Sequence, residues 1–158
     1  MERRSFVIFC IVVCFIFAGV SLAFAVTEEN VMNLVDTTSS DLSADAQGTL
    51  EKIIKGEHPY KNKDNSAFYV FVYDTRLVVL AHWKNAIMGR SYKGKPDVRG
   101  KKFRDEILAG ALSNTTGWVD YSYVKPGDQG IHKKKTYYKL VSGSDGNKYI
   151  VCAGMYSD

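Results

Sequence analysis

Cysteine and histidine are scarce in this chain, and the few present are badly placed for chemistry. There are three cysteines, and Cys10 and Cys14 both fall in the apolar N-terminal stretch. Only Cys152 is left for the folded part, which excludes an intrachain disulfide once that stretch is removed. Its apolar neighbours make it a small buried hydrophobe rather than a nucleophile. His58, His82 and His132 have no His-x-x-x-His spacing, so no metal site is expected. A Gly-x-Ser-x-Gly elbow, a phosphate-binding glycine loop and a paired-carboxylate signature are all missing. An enzyme is therefore not expected, and neither is a cofactor.

The N-terminus reads as an export signal. Arg3 and Arg4 form a positive start, Ser5 to Val20 is uncharged and apolar, and Ala23-Phe24-Ala25 offers small residues where a signal peptidase cuts. Cleavage after Ala25 leaves a single domain of residues 26–158. The alternative is an uncleaved anchor, since the uncharged run Ser5 to Val26 has the 22 residues needed to span a bilayer core. Both readings put the domain outside the cytoplasm, in the periplasm or beyond the cell. Loss of Arg3, Arg4 and Glu2 lowers the net charge from +4 to +3. So mild a balance, on an exported domain, does not favour nucleic acid as a partner. Five of the eight Phe go with the leader and all ten Tyr stay, so the domain relies on side chains that both pack and hydrogen-bond.

From Thr27 onward the periodicity predicts a long helix. Thr27-Glu28-Glu29 supplies a cap and a negative first turn, and apolar residues recur from Val31 to Ile54 at intervals of mostly three or four. Such a helix has about 30 residues and a length of about 45 Å. A bend is expected at Thr37-Thr38-Ser39-Ser40, an overhang of its N-terminal half past the sheet, and an end at Gly56. Ala67 to Tyr73 reads as a central strand, with Leu77 to His82 as its hairpin partner. Gly89, Gly94, Pro96 and Gly100 then break the pattern, and a short amphipathic helix begins at Phe103. Three more strands follow: Gly117 to Pro126, Thr136 to Ser142, and Lys148 to Tyr156 after an Asp-Gly turn. Helix plus antiparallel sheet defines an α+β fold, with the middle segment folded over the face opposite the helix.

The strand from Gly117 carries Val119, Tyr121 and Tyr123 on one face, and two phenols are unusual in a plain core because each hydroxyl needs a partner. With Lys135-Thr136-Tyr137-Tyr138 and the final strand, it is expected to wall a small polar pocket.

Several of these segments, in order, resemble the single-Cache extracellular sensor domains of prokaryotic chemoreceptors and kinases. The carriers are Ala46-Gln47-Gly48-Thr49-Leu50 up to Gly56, Tyr69 to Asp74, Leu80-Ala81-His82 and Met88-Gly89-Arg90. Asp97-Val98-Arg99-Gly100-Lys101, Gly117 to Tyr121, Pro126, Lys135 to Tyr138 and Ala153-Gly154-Met155-Tyr156 complete them. Two departures flank the presumed pocket mouth: Trp83 follows His82 where the family has proline, and the loop from Pro126 to Lys135 is rich in lysine.

The resemblance implies a PAS-like Cache fold, with a long N-terminal helix on a five-stranded antiparallel sheet in the order 2-1-5-4-3. It implies a ligand site for a small organic anion, typically a short carboxylate, between the sheet and the segment covering it. The site residues expected are Tyr69, His82, Trp118, Tyr121, Tyr123, Lys135 and Tyr138, with Lys135 as the cation. Tyr69 and Tyr156 also suit a packed core, Lys133 and Lys134 read as solvated, and Asp97 and Arg99 read as fixing the covering loop. The function expected is ligand sensing by a free-standing exported form that reports to a membrane signalling protein, with a homodimer through the long helix as one arrangement. The alternative is a structural or protein-interaction module built on that helix, with no physiological ligand.

Overall fold

The computed structural model describes residues 25–157. Up to residue 24, the stretch expected to be a leader or anchor lies outside the described residues.

Thr27 opens helix α1 (Glu28–Ala44) with a reciprocal cap: its hydroxyl accepts the Asn30 N–H at 3.2 Å, and the Asn30 side chain accepts the Thr27 N–H at 3.1 Å. The helix breaks at Asp45, whose backbone leaves the helical region and whose carboxylate caps α2 (Ala46–Lys55) by accepting the Gly48 N–H at 2.9 Å. This corrects the bend expected at Thr37 to Ser40. Thr38 and Ser39 are buried, and their hydroxyls donate to the Leu34 and Val35 carbonyls at 2.7 Å each. Satisfied within their own helix, these polar side chains extend the buried stripe instead of interrupting it. α2 ends at Gly56, whose φ of 68° is the left-handed cap conformation that glycine adopts without a steric penalty.

The sheet has five antiparallel strands in the order β2-β1-β5-β4-β3. They are β1 (Val70–Tyr73), β2 (Val79–Ala81), β3 (Thr116–Val124), β4 (Ile131–Ser142) and β5 (Lys148–Ser157). β1 is short, buried on both faces and central, as its continuous apolar run predicts. One face packs on α1 through Val31, Leu34, Val35 and Leu42 against Val70, Val72, Val151 and Ala153. The expected overhang does not occur: Val31 and Val35 are fully buried, Glu28 pairs with Lys135, and Asp36 pairs with Lys139 at 2.7 Å. The other face is covered by α3 (Phe103–Asn114), a 3-10 turn at Asn85–Ile87 and the connecting loop. Phe71, Tyr73, Val79, Val119 and Cys152 meet Phe103, Ile107 and Ala111 in this second core.

Candidate ligand-binding site

Strand parity decides which side chains reach the space beneath the covering segment. On β4, Lys134, Thr136 and Tyr138 point to it, while Lys135, Tyr137 and Lys139 point to α1. Lys134 is 2% exposed, and its ammonium donates to the Tyr69 hydroxyl at 3.1 Å. It lies over the rings of Tyr69 at 4.5 Å and Tyr156 at 4.8 Å. Gly154 makes this approach possible. A Cβ there would stand 2.9 Å from Lys134 Cε and 2.7 Å from the Lys135 carbonyl oxygen, so the lysine stem crosses β5 where only glycine fits.

A second cation comes from α3. Arg104 is buried, donates from Nε to the Tyr73 hydroxyl at 3.2 Å, and lies over the rings of Phe103 at 4.1 Å and Tyr92 at 4.5 Å. Both cations line one small chamber with Tyr69, Tyr73, His82 and Tyr123. Among the described residues neither Lys134 nor Arg104 has a carboxylate within ion-pair distance. Taking a charge out of water costs several kcal/mol, which hydrogen bonds and ring contacts offset only in part. A chamber holding two such charges can take an anion as their counter-charge.

The neutral groups around them are set as donors or as floor. His82 Nδ1 accepts the Lys84 N–H at 2.8 Å, which puts the imidazole proton on Nε2. Burial, reinforced by the Lys134 and Lys84 cations, pulls its pKa down to about 3, so the ring is neutral at pH 7. Burial acts to raise the Tyr69 phenol, but the Lys134 charge and the hydrogen bond from Lys134, with smaller help from its neighbours, outweigh it and hold the pKa below the usual range. Tyr121 stacks on Phe103 with centroids 3.6 Å apart, its hydroxyl is 3.0 Å from that of Thr136, and burial raises its pKa well above the ordinary phenol value. Tyr123 is raised by burial too, with Arg104 opposing.

The covering loop is tied to the sheet edge by Asp97, as its sequence position suggested. One carboxylate oxygen accepts the Arg99 and Lys101 N–H groups at 2.8 and 2.9 Å, and the other accepts the Ser122 N–H of β3 at 2.8 Å. Burial is the largest single influence and acts to raise the Asp97 pKa, but these three bonds and the Lys101 charge together hold it below the usual carboxylate value.

Of the residues expected from sequence, the structure brings together Tyr69, His82, Tyr121 and Tyr123 around the chamber. It does not bring in the other three. Lys135 lies on the helix side, paired with Glu28, its ammonium 4.9 Å from the Trp118 ring; the cation that β4 gives the chamber is its neighbour Lys134. Trp118 packs on Tyr137 at 5.1 Å, also on the helix side. Tyr138 has the right parity but lies under α3, its ring against Gly110 and Gly117, outside the chamber. Arg104, Phe71, Tyr73 and Phe103 were not anticipated. For Arg104 a signal existed: it precedes Ile107, Leu108 and Ala111 by three, four and seven residues, and so falls on the apolar stripe of its helix.

A family model described as a Cache domain matches residues 31–158. Among solved structures, the chain is similar to a Cache chemosensory domain described for carboxylic acid recognition, at 26% identity and a TM-score of 0.65, over 82% of this chain and 92% of that one. It is similar to a periplasmic sensor domain of a chemotaxis protein at 25% identity and a TM-score of 0.62, over 82% and 90% of the two chains. A methyl-accepting chemotaxis protein from Vibrio parahaemolyticus shares the fold at 18% identity and a TM-score of 0.58, over 82% and 80%. A search of curated proteins returns no match.

Proposed function

The chain belongs to the Cache-domain family, and from that premise we propose that it is an extracytoplasmic sensor domain that binds a small organic acid by its carboxylate. The observation that carries the reading is the pair of buried cations, Lys134 and Arg104, that share a chamber and have no carboxylate partner among the described residues. A carboxylate would complete them with charge-assisted hydrogen bonds. The His82 Nε2–H and the Tyr69 and Tyr123 hydroxyls supply neutral donors, and Tyr121 with Phe103 forms the wall. The similarity to a carboxylic-acid-recognising Cache domain supports the same ligand class. The reading calls for no catalytic step.

In this reading the domain works in the periplasm or outside the cell and reports to a membrane signalling protein. A homodimer along the solvent face of α1 is the arrangement to look for. Calorimetric titration with acetate, propionate and lactate, against propionamide as the uncharged control, tests the proposal. Binding of the acids and not of the amide is expected. If no acid binds to the folded protein, the carboxylate reading fails and the interaction-module alternative takes its place.

A further inference from the structure

Behind the carboxylate site the cavity continues, and its second part has a different character. The inner chamber, about 20 Å³, holds little more than a carboxyl-sized group, given that one water needs about 10–15 Å³. The outer chamber is about 350 Å³. Tyr69, His82, Ile87, Arg104 and Tyr123 line both, so the two are continuous. Resting on the carboxylate reading above, we propose that the physiological ligand carries an apolar tail of several carbons, lodged in the outer chamber.

Two of the charged groups of the outer chamber are engaged within the fold, and a third lies near a ring. Both Asp97 oxygens accept backbone N–H groups, Arg104 Nε is given to Tyr73, and the Lys84 ammonium lies 5.0 Å from the Trp83 ring. Away from the Lys84 ammonium and the donors shared with the inner chamber, the wall is apolar: Ile87, Val98, Val124 and the rings of Pro96 and Pro126. Val98 is 65% exposed and Val124 47%, so large apolar side chains face water at the rim. Beside one cavity, two such side chains offer a tail apolar contact at its mouth. Each methylene of a tail would leave water for these walls. The head is fixed by Lys134 at the inner end, so the tail has one direction to run.

The test is a calorimetric series of straight-chain acids, acetate, butanoate, hexanoate and octanoate, at one pH and ionic strength. Affinity should rise about fourfold per methylene, the equivalent of about 0.8 kcal/mol, until the tail emerges from the chamber. Val98→Ser, at an exposed position that the fold tolerates, should cut the hexanoate-to-acetate ratio several-fold and leave acetate affinity unchanged. A flat or falling series with acetate still bound overturns the tail and leaves the carboxylate site standing. An unchanged ratio in Val98→Ser overturns its placement in the outer chamber. Failure of every acid to bind overturns the carboxylate reading itself, and the tail with it.

Discussion

Replacing Lys134 by methionine should stabilise the ligand-free protein and weaken its response to ligand. Lys134 is 2% exposed and has one hydrogen-bond partner, Tyr69, and no carboxylate partner, among the described residues. Desolvating the ammonium costs several kcal/mol. The bond to Tyr69 returns about 1.5–3 kcal/mol, and the ring contacts offset a further part of the cost. A deficit of about 1–3 kcal/mol remains, and an unbranched thioether of similar length fills the same path over Gly154 without it. For a domain of this size that is a rise in Tm of about 3–10 °C. The carboxylate would lose a charge-assisted bond worth about 1.5–3 kcal/mol, so its Kd should rise by about 10- to 150-fold. Differential scanning calorimetry at pH 7, with and without butanoate, reads both effects. A variant that melts lower than wild type and still shifts with butanoate would refute the reasoning, because Lys134 would then be a structural lysine satisfied within the fold.

Three further outcomes are expected. Lys135→Met and Tyr138→Phe should leave ligand affinity unchanged, since one side chain pairs with Glu28 across the sheet and the other lies under α3; a tenfold loss in either, read by titration, would return that residue to the site. Gly154→Ala places a Cβ 2.5 Å from Thr136 Oγ1 and 2.9 Å from Lys134 Cε, so it should cost about 1–3 kcal/mol in urea unfolding and weaken binding with it. The His82 pKa lies at about 3 when folded and near 6.5 when unfolded, so the unfolded chain binds the extra proton between these values. Its contribution is fully present above about pH 6.5 and falls by up to about 1.4 kcal/mol per pH unit on acidification toward pH 3. Tm measured from pH 7 to pH 5 should therefore drop less steeply in His82→Gln than in wild type, and parallel slopes would contradict the assignment.

Period-two alternation carried most of the sheet, and it also contained the correction to the site. Tyr138 and Lys135 are three residues apart on one strand, as are Tyr121 and Trp118, and residues at odd spacing cannot share a face. Once Tyr121 and Tyr138 are set inward, parity selects Lys134 and rejects both Lys135 and Trp118. The solvated reading of Lys134 prevailed because three consecutive lysines look like a charged surface, and only the tertiary position of Gly154 and Tyr69 shows that the middle one is enclosed. Thr38 and Ser39 misled in the opposite sense: as polar residues they suggested a bend, but back-bonding to Leu34 and Val35 let them be buried. The break at Asp45 was written in its ability to cap Gly48, a local signal submerged in the longer apolar periodicity. The chamber itself was less legible, because Arg104 and Phe103 reach it from a helix remote in sequence from the strands they cover.

A crystal structure of the protein grown with butanoate tests the central claim most directly. The carboxylate should lie in the inner chamber with an oxygen about 2.7–2.9 Å from Lys134 Nζ and its carbons directed toward Val98. An empty chamber in a crystal saturated with butanoate, or the acid bound instead beside Lys135 on the α1 face, would contradict the account.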